Sequence, residues 1–325
     1  MTEERPHVSV FIPTFNGGPL LERVLAGIFD QDVDFDYEVV VIDSGSTDGT
    51  LDLLRRHPVR LTEIPNREFN HGLTRNRGAQ LARGEILVLT VQDAVPHGRD
   101  WLRTFVSNFE DPEVAGAYCH QIPHASCGPF LRARLQDWVQ GEGAPIVKQV
   151  ASPMDFWLLP PLDRWRTIAY DNVCSAVRRD LVASRLPFVR RQFGEDITWA
   201  KSAILAGHKV VFDPRCAVEH SHDNSIWYEF RRAYLDHQNI HNLTGLALAP
   251  NIYRVMEYTG ALARSLFRDL WRARATSVLV KLWWTAKIPY FAFSQNLAQL
   301  LGPMSDASGK RGFWAVWDRV MRRRI

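Results

Sequence analysis

The stretch EVVVIDSGSTDGT, residues 38–50, sets the reading of the whole chain. Val39, Val40, Val41 and Ile42 are four branched aliphatic residues in a row, with no polar alternation. Such a run predicts a strand buried on both faces. It stops at Asp43-Ser44-Gly45-Ser46, where small residues let the backbone turn sharply, and Ser46 or Thr47 can cap a helix over Thr47–Arg56. A buried strand that hands directly to a capped helix is the repeating unit of a parallel sheet covered by helices.

The same alternation continues on both sides. Val8–Ile12 is a second buried run ended by Pro13, and Leu20, Leu21, Val24, Leu25 and Ile28 space a helix over Pro19–Phe29. Val59–Ile64 is a weaker strand, Leu73–Arg83 a helix, Glu85–Thr90 a buried strand, Trp101–Phe109 a helix and Val114–Ile122 a strand. The fold class is therefore α/β, with a mostly parallel sheet flanked by helices. In such sheets ligands bind beyond the carboxyl ends of the strands. Thr14-Phe15-Asn16, Asp43-Ser44 and Gln92-Asp93 are then expected on one rim. Residues 123–170 are irregular and rich in Pro and Trp. Beyond them come a helix opened by Glu195-Asp196 and running through Ala206, a strand over Lys209–Phe212 and a helix over Ile226–Leu243. Residues 252–301 are apolar and aromatic, studded with Arg and Lys, and carry no strand signal.

Composition bounds the function. The 325 residues are 46% hydrophobic and 23% charged, enough for a sizeable core. A net charge of +3 gives no case for nucleic acid. Positive charge is nonetheless concentrated at Arg322, Arg323 and Arg324 and between Arg254 and Arg274. Cys119, Cys127, Cys174 and Cys216 form no CxxC pair, which suits a reducing compartment and gives no zinc signature. The N-terminus is too acidic, and its apolar run too short, for a secretory signal; no stretch reaches about 18 apolar residues. The expectation is a cytoplasmic protein. No G-x-G-x-x-G follows the first strand, which disfavours a dinucleotide-dependent dehydrogenase.

Each polar cluster admits a structural and a chemical reading. Pro13-Thr14-Phe15-Asn16 is a loop after a strand, or one edge of a ligand site. Asp43 is part of a capped turn, and a carboxylate at a strand tip can also accept from the N3–H of uracil or thymine. In EFNHGLTRNRGA, residues 68–79, Gly72 and Arg75 stand at a helix start, which suits an anion such as a diphosphate. In TVQDAVP, residues 90–96, Asp93 is a lone carboxylate; a divalent Mg2+ or Mn2+ wants several oxygen ligands, some of which a diphosphate supplies. His220 and His222 fall on one face of an extended segment, as structural residues or as metal ligands.

Together and in this order, these motifs resemble glycosyltransferase family two, of the GT-A fold. The resemblance runs from Val8 to about Ser225. VIDSGSTDGT, EFNHGLTRNRGA, TVQDAVP and HSHD are more narrowly similar to its bacterial rhamnosyltransferase branch, which uses dTDP-L-rhamnose. The resemblance implies that Pro13, Thr14, Phe15, Asn16, Asp43 and Ser44 hold the nucleoside, with Gly72 and Arg75 nearby. It also implies that Gln92-Asp93-Ala94 occupies the place of the family's Asp-x-Asp motif, with Asp93 as the surviving acid. His220 or His222 would then help Asp93 hold Mg2+ or Mn2+. Glu195-Asp196 matches the Glu-Asp pair at the acceptor helix, and Asp196 becomes the general base of an inverting transfer. The helix N-terminus would lower its pKa, with Arg190 or Arg191 tuning it.

The implied organisation is a catalytic domain over 1–245, with a donor half over about 1–120 and an acceptor half over 121–245, and a helical C-terminal region over 246–325. The acceptor would be a glycan or a polyprenyl-linked glycan in cell-surface polysaccharide assembly. Trp271, Trp283, Trp284, Tyr290, Phe291 and Phe293, among Arg264, Arg268, Arg272, Arg274, Lys281 and Lys287, read either as an interfacial helix on the inner face of the plasma membrane or as a surface packed on the catalytic domain or on a second subunit of a homo-oligomer. Two rivals remain: the same chemistry with a UDP- or GDP-sugar, and a non-catalytic nucleotide-sugar-binding scaffold.

Overall fold

A computed structural model describes residues 6–132, 143–273 and 277–323. Arg274 and Arg324 of the two basic clusters, and the part of the Pro- and Trp-rich segment over 133–142, lie outside the described residues. The chain divides into two compact units. The first comprises residues 1–124, 139–159 and 166–220, the second 125–138, 160–165 and 221–325.

The first unit is built on one sheet. In chain order its main elements are β1 (Val8–Thr14), α1 (Gly18–Phe29), β2 (Tyr37–Asp43), α2 (Thr50–Arg55), β3 (Val59–Glu63), α3 (His71–Leu81), β4 (Ile86–Thr90), β5 (Val95–Pro96), α4 (Trp101–Ser107), β6 (Val114–Ile122), β7 (Ile146–Lys148), β8 (Cys174–Arg178), α5 (Glu195–Leu205) and β9 (Lys209–Glu219). The strand order is β3-β2-β1-β4-β8-β6-β9-β5, and β7 also pairs with β9. β1, β2 and β4 are buried along nearly their whole length, as their unbroken apolar runs predict. Gly78 lets α3 lie against β1: a Cβ there would stand 2.5 Å from the Phe11 ring.

The sheet is mixed rather than uniformly parallel. β3, β2, β1 and β4 are parallel neighbours. β8 then runs antiparallel to both β4 and β6, and β9 is parallel to β6. Two reversals cancel, so β6 and β9 point the same way as β1, β2 and β4. The carboxyl ends of all five strands, and the amino end of β8, therefore share one edge. That edge carries every sequence-predicted residue that follows a strand of this unit.

β9 is longer than the expected Lys209–Phe212. Its pairing with β6 jumps from Cys119↔Asp213 to His120↔Ala217, a bulge formed by Pro214, Arg215 and Cys216. Asp213 holds the bulge by accepting from Arg215 and from Asn108 Nδ2 at 2.8 Å. Beyond it the register resumes as Gln121↔Val218 and Ile122↔Glu219, and the His220 N–H donates to the Ile122 carbonyl at 2.9 Å. The Asp-Pro-Arg sequence resembles a turn, which is why the strand reads short from sequence.

The second unit is helical where described: α6 (Ile226–Thr244), α7 (Ile252–Arg272), α8 (Val278–Ala307) and α9 (Phe313–Met321). Phe130 stacks on Phe291 with ring centroids 4.3 Å apart, inside an apolar cluster with Leu266, Leu270 and Ile288. Gln238 of α6 donates to Asp318 of α9 at 2.8 Å and to Ser305 of α8 at 3.1 Å, which ties three helices by one buried amide. No helix among the described residues is long and apolar enough to cross a membrane.

Candidate functional site

The loops after β1 and β2 are held by one carboxylate. Asp43 ends β2 and is wholly buried. It accepts from Thr14 Oγ1 at 2.8 Å, the Gly45 N–H at 3.0 Å, the Ser46 N–H at 2.8 Å and Ser46 Oγ at 2.6 Å. These four bonds, three from its own loop and one from the end of β1, use the acceptor capacity of a carboxylate. Ser44 returns two bonds to the Thr14 carbonyl, from N–H and from Oγ. Asn16 sits in the left-handed region at φ 49°, with its N–H on Ser46 Oγ and its Oδ1 accepting from the Thr47 N–H. Pro13-Thr14-Phe15-Asn16 and Asp43-Ser44 thus form one rigid lip, and the Phe15 ring is exposed on it.

Gln92 closes the other side of that lip. Its Oε1 accepts from the Phe15 N–H at 2.8 Å and its Nε2 donates to the Phe15 carbonyl at 3.1 Å. A carboxamide both donates and accepts, whereas a carboxylate only accepts. The side chain at the first position of the acidic motif therefore serves the β1 loop.

Asp93, the surviving acid, faces His220: Oδ1 lies 3.7 Å from Nε2. Behind His220, its Nδ1 lies 3.0 Å from Oε1 of Gln121, near the end of β6. The Gln121 Nε2 in turn donates to Asp171, whose other oxygen accepts from the Val173 N–H at 2.7 Å. Asp93 and His220 each offer one ligand atom within 4.8 Å of the other. His222 lies two residues further along the chain, exposed, among the first residues of the second unit. An oxygen and an imidazole nitrogen suit Mn2+ better than the all-oxygen preference of Mg2+.

Glu195 and Asp196 open α5 after Gly194, whose φ of 75° favours glycine. Glu195 is buried and takes Arg75 in an ion pair of 2.6 Å; Arg75 also donates to the Asn172 carbonyl at 3.3 Å. Arg75 thus lies buried against α5. Gly72 is small because a Cβ would stand 2.4 Å from the Val189 carbonyl. Asp196 accepts from its own Ile197 N–H at 2.7 Å. Its pKa is raised well above the usual carboxylate range, first by burial, then by the charges of Glu195 and Asp171. This corrects the expectation of a lowered value tuned by Arg190 or Arg191. The Ile197 N–H and Arg75 do lower it, but burial and two like charges outweigh them.

Three residues here carried no sequence signal. Gln121 is a lone amide within a buried strand. Asp171 and Asn172 precede a strand with nothing in their spacing to link them to Asp93 or Asp196. Asn172 Nδ2 and Arg75 Nε are buried with no hydrogen-bond partner, two donors in reserve beside the acid pair.

The comparisons with known proteins fit this geometry. The model of the family described as glycosyl transferase family 2 matches residues 9–184. The O-antigen chain rhamnosyltransferase RfbN of Salmonella typhimurium is 30% identical over 231 residues, covering 70% of each chain. The O-antigen chain rhamnosyltransferase WbaN of Salmonella anatum is 26% identical over 258 residues, covering 79% of this chain and 76% of the relative. Among solved structures, the mannosyltransferase PcManGT from Pyrobaculum calidifontis, in complex with GDP-Man and Mn2+, superposes with a TM-score of 0.58 at 23% identity, covering 95% of this chain and 89% of that one. The glucosyl-3-phosphoglycerate synthase of Mycobacterium tuberculosis, in complex with Mn2+, uridine diphosphate and glucosyl-3-phosphoglycerate, gives 0.52 at 19% identity, covering 75% and 81%. These two neighbours share the GT-A fold with this chain. By the match of its family model, its motifs and its relatives, the chain belongs to glycosyltransferase family 2.

Proposed function

We propose that this glycosyltransferase moves L-rhamnose, with inversion, from dTDP-β-L-rhamnose to a hydroxyl of a glycan or polyprenyl-linked glycan. The reaction class rests chiefly on the match to glycosyl transferase family 2, and the acid pair opening α5, with Glu195 held by Arg75 at 2.6 Å, supports Asp196 as the base. A carboxylate whose pKa is raised, as that of Asp196 is, takes up a proton more readily than an ordinary one. Asp196 removes the acceptor hydroxyl proton as that oxygen attacks C1; the bond from C1 to the diphosphate oxygen breaks, and the nucleoside diphosphate leaves with the electron pair. Attack opposite the leaving group gives an α-L-rhamnoside.

The lip of Pro13, Thr14, Phe15, Asn16, Asp43 and Ser44 receives the nucleoside. Asp43 acts there by shaping the loop, and Phe15 offers a ring face to the base. Asp93 and His220 are the residues that would hold a divalent cation, Mn2+ before Mg2+. Such a cation would neutralise charge developing on the leaving diphosphate. Two named rhamnosyltransferases among the relatives support the donor. The Pyrobaculum neighbour, solved with GDP-Man, keeps a GDP-sugar as the rival. The exposed aromatic and basic residues of α7 and α8 support contact with an anionic membrane, which suits a lipid-linked acceptor.

A donor panel with purified protein tests the reading. Turnover or hydrolysis of dTDP-L-rhamnose, lost in Asp196→Asn, is expected. Use of UDP- or GDP-sugars in its place would overturn the donor. An Asp196→Asn variant as active as the wild type would remove Asp196 as the base, and a wild type that binds the donor without turning it over would be a nucleotide-sugar-binding scaffold.

A further inference from the structure

We infer that Gln121 and Asp171 are positioning residues that hold His220 in the one neutral tautomer able to ligate a cation through Nε2. This rests on the proposed metal site at Asp93 and His220 and deepens it. The argument is one of donors and acceptors taken in order. Asp171 as a carboxylate only accepts, and its Oδ1 is already fixed by the Val173 N–H at 2.7 Å. The Gln121 amide must therefore turn its Nε2 toward Asp171, as it does. Its Oε1 is then the atom left to face His220 Nδ1, at 3.0 Å. An amide oxygen only accepts, so Nδ1 of His220 carries the proton. In a neutral imidazole the other nitrogen then holds a lone pair, and that nitrogen, Nε2, is the one 3.7 Å from Asp93 Oδ1.

The fold makes this arrangement stiff. Gln121 is 5% exposed, and its backbone is paired with Val218 just past the bulge of β9. The His220 N–H is held by the neighbouring Ile122 carbonyl. Ring and amide are thus anchored on adjacent parallel strands, and Asp171 sits at the amino end of the strand on the other side of β6. Carboxylate, amide and imidazole form a relay from Asp171 through Gln121 to His220, whose Nε2 faces Asp93. Orientation of a ligating imidazole through its second nitrogen is a general device, and losing the partner behind the ring costs about 10–100-fold in metal affinity. Here the device has two members, and the outer one, Asp171, decides which way the inner amide points.

The test has two readouts on the metal-free full chain and on its Mn2+ complex. In protein with 15N-labelled histidine, long-range 1H–15N NMR reports the tautomer of each ring, and His220→Gln assigns the signal. Wild-type His220 is expected as the Nδ1–H form. Asp171→Asn gives Gln121 a partner that can donate, which lets the amide invert; Gln121→Leu removes the acceptor. Both variants should move His220 toward the Nε2–H form and weaken Mn2+, titrated by EPR, about 10–100-fold. Wild-type His220 in the Nε2–H form would overturn the inference, even if neither variant folds. Unchanged Mn2+ affinity in both folded variants would also overturn it, while leaving the metal site standing. A wild type that binds no Mn2+ removes the metal site and the inference together, and is thereby told apart from failure of the positioning alone.

Discussion

A carboxylate in the first turn of a helix ordinarily gains from the positive end of the helix dipole, by about 0.3–1 kcal/mol at an exposed site. Asp196 shows that gain overridden. Burial comes first, the Glu195 and Asp171 charges follow, and Arg75 returns only part of the difference. Because the proposed base must be ionised to act, kcat/KM should rise with pH through a limb displaced above the usual carboxylate range. Asp196→Asn should remove that limb and cut kcat by about 10²–10⁴-fold, with donor affinity retained. The same shift has a stability consequence. The folded state holds this proton more tightly than the unfolded chain, so Asp196 detracts from stability as pH rises from the unfolded carboxylate value toward the raised one. Asp196→Asn should therefore melt higher than the wild type at neutral pH, which calorimetry can check; a lower melting temperature would mean that the acid serves mainly as a helix cap. Arg75→Gln acts in the opposite sense. It strands the buried Glu195, a loss on the order of 3–5 kcal/mol, and moves the pH limb of any folded fraction further up.

At the scale of elements, the site is a set of strand ends joined by side chains. Asp43 joins β1 to β2, and Gln92 joins the β1 loop to the segment after β4. Asp43→Asn replaces one accepting oxygen by an amide nitrogen that must face a donor. A loss of about 1–3 kcal/mol is expected, seen as a lower melting temperature with a raised donor KM and a smaller change in kcat. Gln92→Glu keeps the size but sets a carboxylate against the Phe15 carbonyl; it should raise donor KM without restoring metal affinity. A gain in Mn2+ affinity would show that position 92 faces the cation after all. The strand and turn composition of these loops was legible, since Val39–Ile42 and Asp43–Ser46 announce their local conformations. Their pairing was not. Thr14 meets Asp43 across 29 residues and Phe15 meets Gln92 across 77, and no local pattern encodes which loop a polar tip will face. β9 was half legible for a similar reason: Pro214 signals a turn locally, while tertiary pairing with β6 turns it into a bulge.

At the scale of the whole molecule, the sequence announces an α/β fold through its alternating buried runs and helices, and the motifs in register narrow it to GT-A. The reversal of β8 between β4 and β6 was not legible, because strand direction depends on the route of the connection and not on the composition of the strand. That reversal brings Asp171, Gln121 and His220 to the edge that already held Asp93. The second unit poses the remaining question at this scale. Val278, Leu279, Leu282 and Trp283 at the start of α8 are each at least half exposed, and Phe267 and Trp271 at the end of α7 are also exposed. Arg264, Arg268 and Arg272 are exposed on α7, and Lys287 lies 4.1 Å from the Trp283 ring centroid. So much exposed apolar side chain among cations has a cost in water and a natural complement in an anionic bilayer surface, where indole rings sit at the headgroup level. The protein should therefore sediment with vesicles containing phosphatidylglycerol and not with phosphatidylcholine alone, and added salt should weaken the binding. Leu279→Glu combined with Trp283→Glu should abolish it without lowering the melting temperature, because neither side chain is part of the Phe130–Phe291 cluster. Equal sedimentation of wild type and double variant would instead assign this face to another surface of protein.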